Sequence, residues 1–105
     1  MSNRVFSERL KQARLKAGLS QVALGLRIGI TQSSASSRMN HYEKGRHIPD
    51  MQTLSKLAKE LGVPVAYFFC ENDDMAELVT TFSKLTEDQK SEYLELVRKI
   101  KGASK

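Results

Sequence analysis

Cysteine, proline, tryptophan and long apolar runs are scarce in this 105-residue sequence, and each scarcity excludes something. Cys70 stands alone, so no internal disulfide can form, and a reducing compartment is the simplest inference. "FFCEND" surrounds it with aromatics and acids rather than the base or cation that activates a thiol, so Cys70 reads as a small buried hydrophobe. His41 and His47 are the two histidines, and with one cysteine they complete no zinc ligand set of known spacing; no metal or cofactor is expected. The longest apolar candidate, residues 63 to 70, falls well short of the roughly 18 residues of a membrane span and contains Pro64. No membrane partner is expected. The opening "MSNRVFSERLKQARLKAG" alternates charge with apolar residues and lacks the apolar segment of a secretory signal, which predicts a cytoplasmic address. A Gly-rich phosphate loop and a nucleophile-elbow serine are both missing, and the acids of "ENDD" and "TEDQ" suit a linker and a helix start. An enzyme is not expected.

What is present is a core and an uneven charge. A hydrophobic share of 40% over this length fits one small globular fold with a modest core. Residues 1 to 48 carry nine Lys and Arg against Glu8 and Glu43, a balance of +7, whereas residues 49 to 105 carry eight against ten acids, a balance of −2. The basic surface therefore belongs to the first half. Such asymmetry favours a polyanionic partner, and nucleic acid is a commoner one than a membrane surface for a chain without an exposed aromatic anchor.

Glycine punctuates the chain. Gly18, Gly29 and Gly62 are each followed by an apolar residue, as at helix ends closed by a left-handed glycine and a hydrophobic contact. Gly18-Leu19-Ser20 and Gly29-Ile30-Thr31 add an N-cap residue at once, so one helix stops and the next starts within three residues. Phe6, Leu10, Ala13 and Ala17 lie on one stripe of a first helix over about 5 to 17, and Leu24 with Ile28 on one face of a second over 20 to 27. Gly25, inside that very short helix, predicts the close approach of another backbone. Pro49 and Asp50 start a fourth helix with a stripe of Leu54, Leu57, Ala58 and Leu61, ended by Gly62, and Val65 to Phe69 form a short fifth helix whose aromatics close the core.

The third helix is the unusual one. If Thr31 caps it and Gly45 ends it, Ala35, Met39 and Tyr42 form a buried stripe. Ser33, Ser37, Asn40 and Lys44 then lie opposite, with Ser34, Ser36 and His41 on the flanks, and no carboxylate on that face. Serine costs a few tenths of a kcal/mol in helix propensity at each position. Short hydroxyls nonetheless let a helix backbone come close to a partner while offering a donor and an acceptor, which suits base edges and phosphates in a DNA major groove. The alternative is a flexible serine-rich loop. His41 and His47 read as polar contacts near phosphate.

At this point "RLKQARLKAGLSQVALGLRIGITQSS" followed by "YEKGRHIPDMQTLSKLAKELGVPVAYFF" resembles the phage repressor and Cro type of helix-turn-helix, the xenobiotic-response-element family. The resemblance spans about residues 6 to 69 and rests on many spaced features at once. These are Gly-Leu-Ser-Gln opening helix two, Gly25, Gly29 with Ile30 and Thr31, Glu-Lys-Gly at 43 to 45, and the Pro-to-Gly fourth helix. It implies an all-α, five-helix domain whose third helix enters the major groove of double-stranded DNA while the second crosses the backbone. It also implies a bacterial or phage regulator, commonly a repressor. By position, Gln21 matches a contact at the start of helix two, and Gln32, Ser33, Ser34 and Ser37 match helix-three contacts; a glutamine reads adenine in bidentate fashion. Arg14 and Glu43 match a structural pair bridging helices one and three, and Arg46 matches a region that meets phosphate. One departure stands out: Gly29 to Glu43 is longer than the common spacing by about four residues, close to one helical turn. This stretch either extends helix three, bringing Arg38, Asn40 and His41 within reach of DNA, or bulges as a loop; the unbroken stripe favours extension.

Residues 1 to 70 are thus expected to form the DNA-binding domain and 71 to 105 a helical extension. Met75, Leu78, Val79, Phe82 and Leu85 predict a sixth helix, and Thr86 with Gln89 forms a capping box opening a seventh that carries Tyr93, Leu94, Leu96, Val97 and Ile100. The tail "KGASK" reads as frayed. That pair has more apolar surface than it can easily bury alone, so it either packs on the five-helix unit or makes a dimer seam; dimerisation is the expectation, and a two-fold homodimer makes a palindromic operator the natural target. The alternative is an antitoxin-like module whose last helices bind a partner protein, with DNA autoregulation secondary. At this length no separate small-molecule sensing domain is expected.

Overall fold

The computed structural model describes residues 3 to 103, which form six α-helices and one 3-10 turn, with no strand among them. They are α1 (Arg4–Lys16), α2 (Gln21–Arg27), α3 (Gln32–Glu43), α4 (Met51–Leu61), the 3-10 turn (Val65–Phe69), α5 (Asp73–Ser83) and α6 (Glu87–Ala103). The expected fifth helix is the 3-10 turn, too short to close an α-helical ladder. Four sharp corners follow from Gly18, Gly29, Gly45 and Gly62, all at positive φ. At each, the next residue's amide reaches back across the helix end; Leu19 donates to the Arg14 carbonyl at 3.2 Å and Ile30 to that of Gly25 at 3.0 Å. Starts are capped too: Ser20, Asp50 and Asn72 accept from the amides of Ala23, Thr53 and Met75. Thr86 and Gln89 cap each other's amides reciprocally.

The core gathers Phe6, Leu10, Leu24, Met39, Leu57 and Phe68, all fully buried, with Phe6 and Phe68 rings 5.5 Å apart. Ala17 departs from the predicted stripe: it caps the end of α1 and is exposed, because the chain is already turning towards Gly18. Cys70 is buried, and its thiol donates to the Ala66 carbonyl at 3.3 Å.

"ENDD" does more than link. Asn72 caps α5, and Asp73 reaches back to Arg9 at 2.9 Å. Arg9 is itself buried and also donates to the Cys70 carbonyl and to Gln12, whose amide oxygen accepts from the Tyr67 hydroxyl. This network ties α5 to the rest, with Ala76 as its one buried residue. Burial pushes the Tyr67 phenol up, Arg9 opposes it, and Asp73 and Cys70 add to the rise. In contrast, α6 has no buried residue and continues through Lys101 to Ala103, where a frayed tail was expected. Lys101 there complements the negative helix end; residues 104 and 105 of that tail lie outside the described part.

Candidate nucleic-acid interface

The serine-rich segment is one continuous helix, so the long stretch from Gly29 to Glu43 extends α3 rather than bulging as a loop. Its inner side holds it: Ala35, Met39 and Tyr42 are buried. At the crossing with α2, Gly25 meets Ala35 so closely that a Cβ added at 25 would stand 2.8 Å from the Ala35 Cβ. The C-terminal end is fixed by Arg14, whose Nε and Nη2 donate to the two Glu43 oxygens at 2.6 and 3.0 Å while Nη1 donates to the Leu19 carbonyl at 2.9 Å. Both side chains are nearly out of water. The hydrogen bond to Glu43 raises the Arg14 pKa against the opposing effect of burial, so Arg14 stays a cation. Thr31 sits at the N-cap but makes no side-chain cap; its hydroxyl lies 3.4 Å from that of Ser33, and its carbonyl accepts from Ser34 and Ala35 instead.

The outer side is polar and open. Gln32, Ser33, Ser36, Ser37 and Arg38 are exposed, as are Lys44 and Arg46 beyond the helix, while Ser34, Asn40 and His41 are half-buried. Gln21 is turned along the protein rather than outward: its amide nitrogen lies 3.3 Å from Glu43 Oε1 and 3.5 Å from Asn40 Oδ1, holding all three together. A cleft of about 420 Å³ opens beside this face, lined by Ser33, Ser34, Ser37, Arg38, His41, Tyr42 and His47. None of these is an acid. His47, from the loop after α3, stacks edgewise on Tyr42 at 5.1 Å and lies 6.3 Å from His41. Its place against the helix was not legible, since only the histidine pair itself hinted at it. The Tyr42 phenol is pushed up by burial, with Arg38 opposing and Asp50 adding to the rise. Hydroxyls, one amide, a guanidinium and imidazoles on a rigid convex helix can donate to phosphate oxygens and read base edges. Among the described residues no group of three His, Cys, Asp or Glu could hold a metal, and no helix is long and apolar enough to cross a membrane.

A helix-turn-helix family model matches residues 10–68, from the middle of α1 to the 3-10 turn. The chain belongs to this helix-turn-helix family. Its Cro/C1-type members are DNA-binding transcriptional regulators, which is not an enzyme class. The helix-turn-helix chain is 41% identical over 59 residues to the SPbeta prophage-derived uncharacterized HTH-type transcriptional regulator YonR of Bacillus subtilis (strain 168). It is 30% identical over 69 residues to the cryptic phage CTXphi transcriptional repressor RstR of Vibrio cholerae. The matches cover 56% and 66% of this chain but 51% and 59% of those relatives. In three dimensions it resembles the crystal structure of the transcriptional regulator BswR, with a TM-score of 0.87 and 43% identity over 94% of this chain and 98% of that one. That likeness includes α5 and α6 as well as the helix-turn-helix.

Proposed function

We propose that the protein is a transcriptional repressor that binds a palindromic operator as a homodimer, each copy placing α3 in the major groove. The observation that carries this is the outer side of α3: an acid-free row of Gln32, Ser33, Ser36, Ser37 and Arg38, exposed on a helix immobilised from behind by burial and by Arg14–Glu43. Gln32 and the serines read base edges, while Arg38, His41, Lys44 and Arg46 meet phosphates. Gln21 and Asn40, engaged with Glu43, contact DNA through the edge of that cluster and position α3. Two copies related by a two-fold axis carry their α3 helices to successive grooves about 34 Å apart. Relatives named as a prophage regulator and a phage repressor support the repressor assignment.

A binding selection on random duplexes at near-physiological salt yields the operator, and a palindrome is the expected outcome. On that site Gln32→Ala costs about 1 to 3 kcal/mol and relaxes one position. Equal losses on cognate and random DNA refute base reading by Gln32.

A further inference from the structure

We infer that the apolar face of α6 is covered by α6 of a second copy of this chain, lying antiparallel across a two-fold axis near Leu96 and Val97. This rests on the homodimer reading above and gives it a surface and a direction. Tyr93, Leu94, Leu96, Val97 and Ile100 are between 37% and 60% exposed. At the start of α6 the Tyr93 ring meets the Phe82 ring of α5 at 6.0 Å, and the Lys90 ammonium lies 5.7 Å from the centre of the Phe82 ring. Through Phe82 the apolar strip runs on to Leu78 and Met75, themselves exposed. Helices in proteins draw most of their stability from packing an amphipathic face, and α6 buries no residue, so its apolar face requires cover. The shape agrees: the radius of gyration is 16.1 Å, against about 13 Å for a compact chain of this size.

Charge selects the occupant. Residues 87 to 95 hold Glu87, Asp88, Glu92 and Glu95 against Lys90, whereas 98 to 101 hold Arg98, Lys99 and Lys101 with no acid. A uniformly acidic or basic partner matches one half and repels the other. A second copy laid parallel sets like beside like. Laid antiparallel, it matches both halves and opposes the two helix dipoles. At about 100° per residue, Glu92 and Lys99 share one flank of the apolar stripe, so an axis between Leu96 and Val97 brings Glu92 within about two residues of rise, roughly 3 Å, of the level of the partner's Lys99.

Sedimentation equilibrium on the full chain tests this. The wild type is expected to dimerise and Val97→Glu to remain monomeric. Glu92→Lys or Lys99→Glu alone weakens the dimer by roughly tenfold through two symmetric pairs, and the double variant restores it. An acid-first, base-last order also favours a single helix; were that its whole role, the double variant would be worse than either single one. Nitroxides at Asp88→Cys, with Cys70→Ser, should lie about 27 Å apart; a parallel seam puts them at about 10 Å and overturns the antiparallel direction. A dimer indifferent to Val97→Glu and to the reversals sinks the seam while leaving the homodimer. A wild type that stays monomeric at high micromolar concentration, yet binds operator in a band shift, sinks the seam and the homodimer but leaves DNA reading intact.

Discussion

Gly25→Ala sets helix propensity against packing at the crossing that aims α3. Propensity alone favours alanine by about 1 kcal/mol in a helix interior. The new Cβ would stand 2.8 Å from the Ala35 Cβ, 3.1 Å from its Cα and 3.2 Å from its carbonyl oxygen. Carbon atoms rest at roughly 3.5 to 4.0 Å, so α2 and α3 must part by about 1 Å. Ala35 has no rotamer to change and the other two atoms are backbone, which puts the overpacking cost near the top of its usual range of about 1 to 3 kcal/mol. The net expectation is a loss of roughly 1 to 2 kcal/mol, a fall in Tm of about 5 to 10 °C. Urea unfolding reads it as a lower midpoint at constant slope. Adding Ala35→Gly removes the shortest contact but leaves the backbone ones, so the double variant recovers only part. Because α3 is displaced, operator affinity should fall further than affinity for random duplex. A Gly25→Ala variant more stable than the wild type by about 1 kcal/mol would refute the close-crossing argument outright.

Three further outcomes are expected. Glu43→Ala strands a buried Arg14 and should cost about 3 kcal/mol or more, whereas Arg14→Met with Glu43→Leu recovers most of it in denaturant melts. The amide of Thr53 holds the Asp50 carboxyl below its ordinary value of 3.8. The folded state thus favours the ionised form, so the Asp50 contribution is complete above that value and disappears as pH falls through the lowered one; melts of wild type and Asp50→Ala should converge in acid. Arg46→Ala and Arg38→Ala should weaken binding to all duplexes alike and each lower the salt slope by about one in titrations across salt.

The helix ends were the most legible part of the sequence, because glycine with a following apolar residue and a cap three residues before an amide are local chemistry. Ser20, Asp50 and Thr86 behave as their spacing says, whereas the cap at Asn72 came only with the structure. Thr31 shows the limit: the same residue type in the same place leaves its amides to the backbone because its hydroxyl turns towards Ser33. Beyond Arg14–Glu43, which the family resemblance supplied, and the crossing at Gly25, long-range partners were hidden. Arg9 looks like one more surface cation, yet it is buried by bonds to Cys70 and Asp73, 61 and 64 residues away. Gln21 presents the same difficulty at the site, since nothing local says that its amide turns to Asn40 and Glu43. Cleft formation at His47 depends on the path of the loop after Gly45, which periodicity does not report.

The serines and the extra turn of α3 share one physical account. Four serines in the five residues from Ser33 to Ser37 lower helix propensity by about 2 kcal/mol in total relative to alanine. Burying Met39 and Tyr42 contributes roughly 1.5 to 3 kcal/mol each, so order in α3 is decided from its inner side. Four residues more than the spacing common in the family that the sequence resembles would advance a helix by one turn plus about 40°. Such a rotation would swing the far end of α3 out of register unless it were held independently. The Arg14 guanidinium is that hold, reaching Glu43 past the added turn while Ala35, Met39 and Tyr42 keep one buried line. Since α3 is held by its inner side and by its Glu43 end, the exposed face from Gln32 to Arg38 can be chosen for what it touches.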